Sequence, residues 1–187
     1  MIVSDKHKFI FFHIPKTGGS SLTAYFQKYG NIFEGAHKNH YDLNRGFFRF
    51  GFFRNPWDRF VSKYYYFKNY GQRLGMDVHS GEIVNRFNSF REFVINYENV
   101  SSEFKSPHWK TQICWNVDRL DFIGRFETLQ QDFDLICDKV GIPQYKLPHK
   151  NKSKHKHYTE HYDEETKSII AEKYAEDIEY FGYKFGD

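Results

Sequence analysis

Cysteine is nearly absent from this chain: 187 residues hold two, Cys114 and Cys137. Two thiols cannot build a disulfide scaffold, and their spacing fits neither a zinc site nor a redox pair, so both read as reduced core thiols. Proline is sparse, at five residues, and no Pro/Ser/Gly-rich linker divides the sequence. A single domain over 1–187 is the default at this length. No run of about 20 apolar residues is present, which excludes a spanning helix, and no signal peptide precedes the first apolar segment, so a cytoplasmic protein is expected. An excess of one charge is lacking too. Lys and Arg number 27 against 24 Asp and Glu, a net +3, which is too little to argue for nucleic acid. Internal repeats and coiled-coil heptads are also missing. What is plentiful is aromatic, at 20% of residues, and it predicts a core built from Phe and Tyr.

The chain is organised around residues 8–25. The apolar segment Phe9–Phe12 is too short for a buried helix and has the aromatic and β-branched content of a strand buried on both faces. Beyond it, Leu22, Tyr25, Phe26 and Tyr29 share one helical face, with Gly30 placed as a left-handed cap. The intervening Pro15-Lys16-Thr17-Gly18-Gly19-Ser20-Ser21 has the chemistry of an anion cradle. Glycines let backbone N–H groups face a ligand, the helix start adds a positive dipole end, Lys16 adds charge, and Thr17, Ser20 and Ser21 add hydroxyls. It is not the nucleoside-triphosphatase loop, because the lysine precedes the glycines. A ligand-free glycine turn is the plain alternative.

A second aromatic run, 47–53, ends at Arg54-Asn55-Pro56-Trp57-Asp58-Arg59. Asn55 suits an N-cap and Pro56 the first helical position, so this strand also runs into a helix, with Trp57, Phe60, Val61 and Tyr64 inward. Arg54 and Ser62 are placed to take one anion together. Residues 68–87 read as a long surface loop. Ser89 and Glu92 have capping-box spacing ahead of Phe90, Phe93, Val94 and Tyr97. A third strand is expected over 120–126, followed by a helix with Thr128 and Gln131 as capping box, Phe133, Ile136, Cys137 and Val140 as core stripe, and Gly141 and Pro143 as its stop. The run 146–157 is basic and reads either as a solvated loop or as a lid over a polyanion. Asp163 caps a last helix whose stripe is Ile170, Tyr174, Ile178 and Phe181, with Glu164 and Glu165 in its first turn.

Strands alternating with helices predict an α/β fold, a central parallel sheet flanked by helices, with ligands at the carboxyl ends of the strands. Both anion-binding candidates lie there, and together they call for a ligand with two separated anionic groups. Phe12-His13-Ile14-Pro15-Lys16-Thr17-Gly18-Gly19-Ser20-Ser21 resembles the 5′-phosphosulfate loop of sulfotransferases, and Arg54 through Tyr64 resembles their 3′-phosphate motif. The branch it is similar to includes carbohydrate O-sulfotransferases of the heparan 2-O and chondroitin type and bacterial members. Pro107-His108-Trp109, Phe122-Ile123-Gly124-Arg125-Phe126-Glu127 and Asn151-Lys152-Ser153 extend the similarity along nearly the whole chain. The chain is small for that branch, with little beyond the donor-binding core.

The resemblance implies a P-loop-type three-layer sandwich and sulfuryl transfer from 3′-phosphoadenosine 5′-phosphosulfate (PAPS), leaving adenosine 3′,5′-bisphosphate (PAP). The acceptor is a hydroxyl, expected on a carbohydrate. Lys16, Thr17, Gly18, Gly19, Ser20 and Ser21 would hold the 5′ group, Arg54 and Ser62 the 3′-phosphate, and Lys152 and Ser153 would lie near the donor. His40, His108 and Trp109 are the acceptor-side candidates. Lys16 would stabilise the leaving phosphate, and His37, in the connection between the two motifs, is the expected general base, with His40 the runner-up. His13, at the end of a buried strand, reads as a satisfied core histidine. No metal is required, and the third strand ends in Gly124-Arg125 without the acidic residue that would hold Mg²⁺. Two alternatives stand beside this reading: an Mg-ATP-dependent small-molecule kinase, separated by metal dependence, and a non-catalytic polyanion or RNA binder using 146–157, separated by steep and unselective salt dependence.

Overall fold

The computed structural model describes residues 1–32, 46–70, 77–148 and 156–187. Along the chain these form β1 (Ile2–Ser4), β2 (Phe9–Phe12), α1 (Gly19–Phe26), β3 (Asn31–Ile32), β4 (Phe48–Phe53) and α2 (Pro56–Tyr70). There follow α3 (Val78–Asn85), α4 (Phe90–Ile95), α5 (Tyr97–Ser101), β5 (Phe122–Arg125), α6 (Leu129–Val140), α7 (Glu164–Lys173) and α8 (Ala175–Phe181). They belong to two compact units, Met1–Arg54 with Cys114–Lys152, and Asn55–Ile113 with Ser153–Asp187.

The first unit holds all five described strands, in the order β3-β1-β2-β4-β5. β2, β4 and β5 run parallel, so that Phe11 sits beside Phe50, and Phe50 beside Phe122. The sheet is nevertheless mixed, and the expectation of a parallel sheet needs correcting. β1 pairs antiparallel with both β2 and β3, because residues 5–8 are too short a connection for anything but a hairpin. All four residues of β2 are buried. On one face of the sheet Phe9, Phe11, Phe50 and Phe52 meet Leu22, Tyr25 and Phe26 of α1 and Phe133, Ile136, Cys137 and Val140 of α6. The rings of Phe26 and Phe50 lie 5.1 Å apart, edge to face, a geometry aromatic pairs favour.

Three details of this unit depart from expectation. α1 stops at Phe26, and Gly30 is not a left-handed cap. It passes so close to β1 that a Cβ there would lie 2.6 Å from the Val3 carbonyl oxygen. Thr128 makes no cap hydrogen bond; its hydroxyl donates to Asp132 Oδ2 at 2.9 Å, and the same oxygen accepts from the Arg125 N–H at 2.6 Å. That carboxylate draws the Thr128 hydroxyl away from the helix start. Cys137 is in the core as expected, but Cys114 is exposed, in a 3₁₀ turn at Ile113–Trp115. Gly141, at φ 68°, closes α6 as the sequence predicts.

The described part of the second unit is helical, with its own aromatic core. Asn55 Oδ1 accepts from the Trp57 N–H at 3.1 Å, capping α2, whose Trp57, Phe60, Val61 and Tyr64 are buried. Part of the expected 68–87 loop is helix: α2 runs to Tyr70, and α3 buries Ile83 and Val84 behind an Asp77 cap. Ser89 caps α4 as expected, while the Glu92 carboxylate accepts from the Asn88 N–H at 2.8 Å. Asp163 and Thr166 cap each other's ends of the α7 start. The last helix is in fact two, broken at Tyr174.

Three charged residues, Arg59, Lys63 and Asp177, are fully buried here. Arg59 donates to the carbonyls of Lys110 and His108 at 3.0 and 3.3 Å. Lys63 Nζ donates to the Tyr174 hydroxyl at 2.8 Å, which in turn donates to the Trp109 carbonyl. Burial first, and Arg59 second, push the Lys63 amine well below the usual lysine range, while Asp177 opposes them. Asp177 accepts from the backbone N–H groups of Gln112 and Ile113 at 2.7 and 3.0 Å. Asp177→Ala is therefore expected to destabilise the protein by about 3–5 kcal/mol, since it strands two N–H donors and removes the anion that offsets buried cations. Urea denaturation checks this; a loss below about 1 kcal/mol would mean that the carboxylate is not the anchor of this network.

Candidate active site

The turn between β2 and α1 is built from backbone that few residues adopt. Gly18 is left-handed, at φ 81°, and so is Lys16, at φ 70°, an uncommon conformation for a residue with a Cβ. Thr17 is buried, and its hydroxyl donates to the Ile14 carbonyl at 2.9 Å, closing the turn from inside. Gly19 opens α1, which has no side-chain cap and no acidic residue in its first turn. A helix start of this kind favours an anion. A Cβ at Gly19 would run into the imidazole of His13, so only glycine leaves the loop backbone and that ring together.

Arg54 directly follows β4, the parallel neighbour of the strand that leads into this turn. It is 8% exposed; its Nη1 donates to the Lys16 carbonyl at 3.2 Å and its guanidinium lies 3.9 Å from the centre of the Phe126 ring. The two motifs, separate in the sequence reading, are hydrogen-bonded neighbours in one cationic site. Burial, and then the Arg54 charge, lower the Lys16 pKa to about 7. Two cations crowded this way are poorly solvated until an anion joins them. His13 is exposed and not the core histidine expected from its place after a buried strand, yet desolvation of its ring lowers its pKa to about 4, so it is neutral at pH 7. Its Nδ1 is 3.3 Å from Thr23 Oγ1.

Lys16, Thr17, Gly18, Gly19, Ser20, Ser21 and Arg54 thus all belong to the first unit. Ser20 is exposed, whereas Ser21 donates its hydroxyl to the Pro148 carbonyl at 2.9 Å. Ser62, His108 and Trp109 belong to the second unit. Ser62 is half-buried on α2. His108 Nδ1 is 2.8 Å from Ser106 Oγ, and its ring stacks on Tyr66. Trp109 is 4% exposed, and its indole N–H donates to Ser80 Oγ at 3.1 Å, which makes it a member of that unit's core. His37, His40, Lys152 and Ser153 lie outside the described residues. Sequence reasoning missed the contact of Phe126 with Arg54; the available signal was an aromatic immediately after the last residue of the third parallel strand.

Among the described residues no group of three or more His, Cys, Asp or Glu gathers as a metal site. Nor is any described helix long and apolar enough to cross a membrane. Lys16, Arg54, the glycine turn and the acid-free helix start fit a ligand with anionic groups.

Comparison with known proteins agrees with that chemistry. Human carbohydrate sulfotransferase 9 is 24% identical over 216 aligned positions, covering 94% of this chain and 47% of its own length. Zebrafish (Danio rerio) carbohydrate sulfotransferase 14 is 24% identical over 185, covering 78% and 49%. The chain therefore spans about half the length of these two relatives. An uncharacterized protein of Archaeoglobus fulgidus is 29% identical over 99 residues, 53% of this chain and 72% of that one. No solved structure gives a significant match. A family model described as "Sulfotransferase family" matches residues 1–184, both units included, and the chain belongs to that family.

Proposed function

We propose that this protein transfers a sulfuryl group from PAPS to an acceptor hydroxyl, the acceptor being a carbohydrate as in the names of the two sulfotransferases it is similar to. The observation that carries the reading is the pairing of Lys16 and Arg54 through the Lys16 carbonyl, beside a glycine turn whose helix has no acid in its first turn. When bound, the donor supplies the sulfuryl group and a phosphate that leaves with the S–O bonding electrons. Lys16 and the N–H groups of the turn meet the charge that grows on that phosphate. Arg54, with Ser62, holds the 3′-phosphate, so that binding energy from the far end of the donor fixes the reacting end in line.

On the acceptor side His37 takes the hydroxyl proton, with His40 the second candidate in the same connection. His108 serves acceptor binding, with Trp109 packed in the core behind it, and Lys152 and Ser153 serve the donor. The P-loop-type three-layer arrangement and a single functional domain over 1–187 belong to the same proposal. The family match over 1–184 supports them.

Calorimetry with two nucleotides tests the donor assignment. Arg54→Ala is expected to weaken adenosine 3′,5′-bisphosphate about 10–150-fold, the value of a charge-assisted contact, and adenosine 5′-monophosphate by no more than about threefold. Equal losses for the two would take Arg54 away from the 3′-phosphate and give it to the 5′ side, where its bond to the Lys16 carbonyl lies.

A further inference from the structure

Three parallel strands each deliver one piece of the cationic site at their carboxyl ends: β2 the Lys16 turn, β4 Arg54, and β5 the turn containing Phe126. The first two carry charge. The third carries a phenyl ring, and its contacts are specific. The Arg54 Cζ lies over the ring, 3.9 Å from its centre. Its edge is 3.5 Å from where a Cβ on Gly18 would sit, so the same ring abuts the left-handed turn. Its own backbone is pinned on both sides: the Phe126 N–H donates to the Phe53 carbonyl at 2.7 Å, one residue before Arg54, and the Phe126 carbonyl accepts from the Leu129 N–H at 3.2 Å.

We infer that Phe126 is a positioning residue: its ring holds the Arg54 guanidinium in place, and through that placement it sets the preference of the site for a ligand with a second phosphate. This rests on the donor reading above. An arginine side chain has many rotamers, and its five N–H donors recognise a phosphate only when the fork is turned toward it. Phe126 and the Lys16 carbonyl are two of the groups that hold Arg54. A ring this close restricts turning of the guanidinium about its bond to the Lys16 carbonyl. Cation–π contact also offsets the cost of burying Arg54, 8% exposed, beside Lys16. Leucine in place of Phe126 would fill much of the volume and keep the apolar contact with Gly18, but it offers no flat face.

The test uses the full chain with Phe126→Leu, Phe126→Trp, Arg54→Ala and the Phe126→Leu/Arg54→Ala double variant. Two readouts are taken: affinities for adenosine 3′,5′-bisphosphate and adenosine 5′-monophosphate by calorimetry, and the rate of phenylglyoxal labelling at Arg54 in ligand-free protein, mapped by mass spectrometry. Phe126→Leu is expected to raise the bisphosphate Kd about 3–30-fold, to change the monophosphate Kd less than about twofold, and to speed Arg54 labelling severalfold. Phe126→Trp, which restores a flat ring, should return both readouts toward wild type. In the Arg54→Ala background Phe126→Leu should add nothing. Equal loss for both nucleotides, unchanged labelling, or full additivity would each overturn the positioning role and leave Phe126 as packing. Wild-type protein that binds no bisphosphate would overturn the donor reading instead, and the labelling rate then decides the role of Phe126 alone.

Discussion

Lys16→Ala is expected to lower sulfuryl-transfer turnover about 10²–10³-fold, the cost of removing one donor aimed at charge that develops in the transition state. It should also erase a pH dependence that wild type has. With its pKa lowered to about 7 by burial and by Arg54, Lys16 is half-charged at neutral pH in the free protein. A bound anion favours the ammonium and raises that pKa, so binding takes up a proton wherever the free amine is neutral. The bisphosphate Kd should therefore be insensitive to Lys16 below about pH 7 and rise up to tenfold per pH unit above it. Below about pH 6 the ligand's own phosphates begin to protonate and the Kd rises again. Stability follows the opposite trend. In the ligand-free protein the folded pKa of Lys16 lies below the unfolded value of about 10.4, so the unfolded chain binds more protons between the two and this group favours folding increasingly as pH rises through that window. Lys16→Ala should lose both the alkaline rise in Kd and that component of alkaline stability. A variant that kept the alkaline rise would assign it to another group.

His37→Ala should lower kcat about 10²–10⁴-fold while the bisphosphate Kd stays within about twofold, because a general base acts on the acceptor proton and not on donor binding. The acidic limb of the pH–rate profile should go with it. That limb also separates the histidines. An imidazole near its unperturbed pKa of about 6.5 gives a limb there, whereas His13, with its pKa lowered to about 4, would give one two units lower. A wild-type limb near pH 4 would assign the proton to His13. A wild-type rate in His37→Ala with a strong loss in His40→Ala would pass the role to His40.

Much of this was legible because the decisive signals are local. The apolar run Phe9–Phe12, the glycines of the turn, the Asn55-Pro56 start of α2 and the Gly141 stop of α6 depend on neighbours within a few positions, and each took its expected form. What sequence missed depends on partners far along the chain. β1 and β3 have three and two residues, too few to show a period, and exist through pairing with each other and with β2. The burial of Arg59 and Lys63 depends on Asp177, Tyr174 and the carbonyls of His108 and Lys110, none of them near in sequence. The hydroxyls of Thr17 and Ser21 read as ligand donors, while the fold directs them to the Ile14 and Pro148 carbonyls. Glycine pattern and lysine position point to the candidate site; which groups inside it are already engaged is a property of the tertiary structure.

Sulfuryl transfer driven by the Lys16 turn is tested by passage of ³⁵S from labelled PAPS to a panel of carbohydrate acceptors, run with EDTA and with Lys16→Ala in parallel. Label should reach an acceptor hydroxyl in EDTA, one adenosine 3′,5′-bisphosphate should appear for each sulfuryl moved, and Lys16→Ala should reduce the rate about 10²–10³-fold. No transfer from PAPS, together with phosphoryl transfer from ATP that requires Mg²⁺, would make the protein a kinase instead.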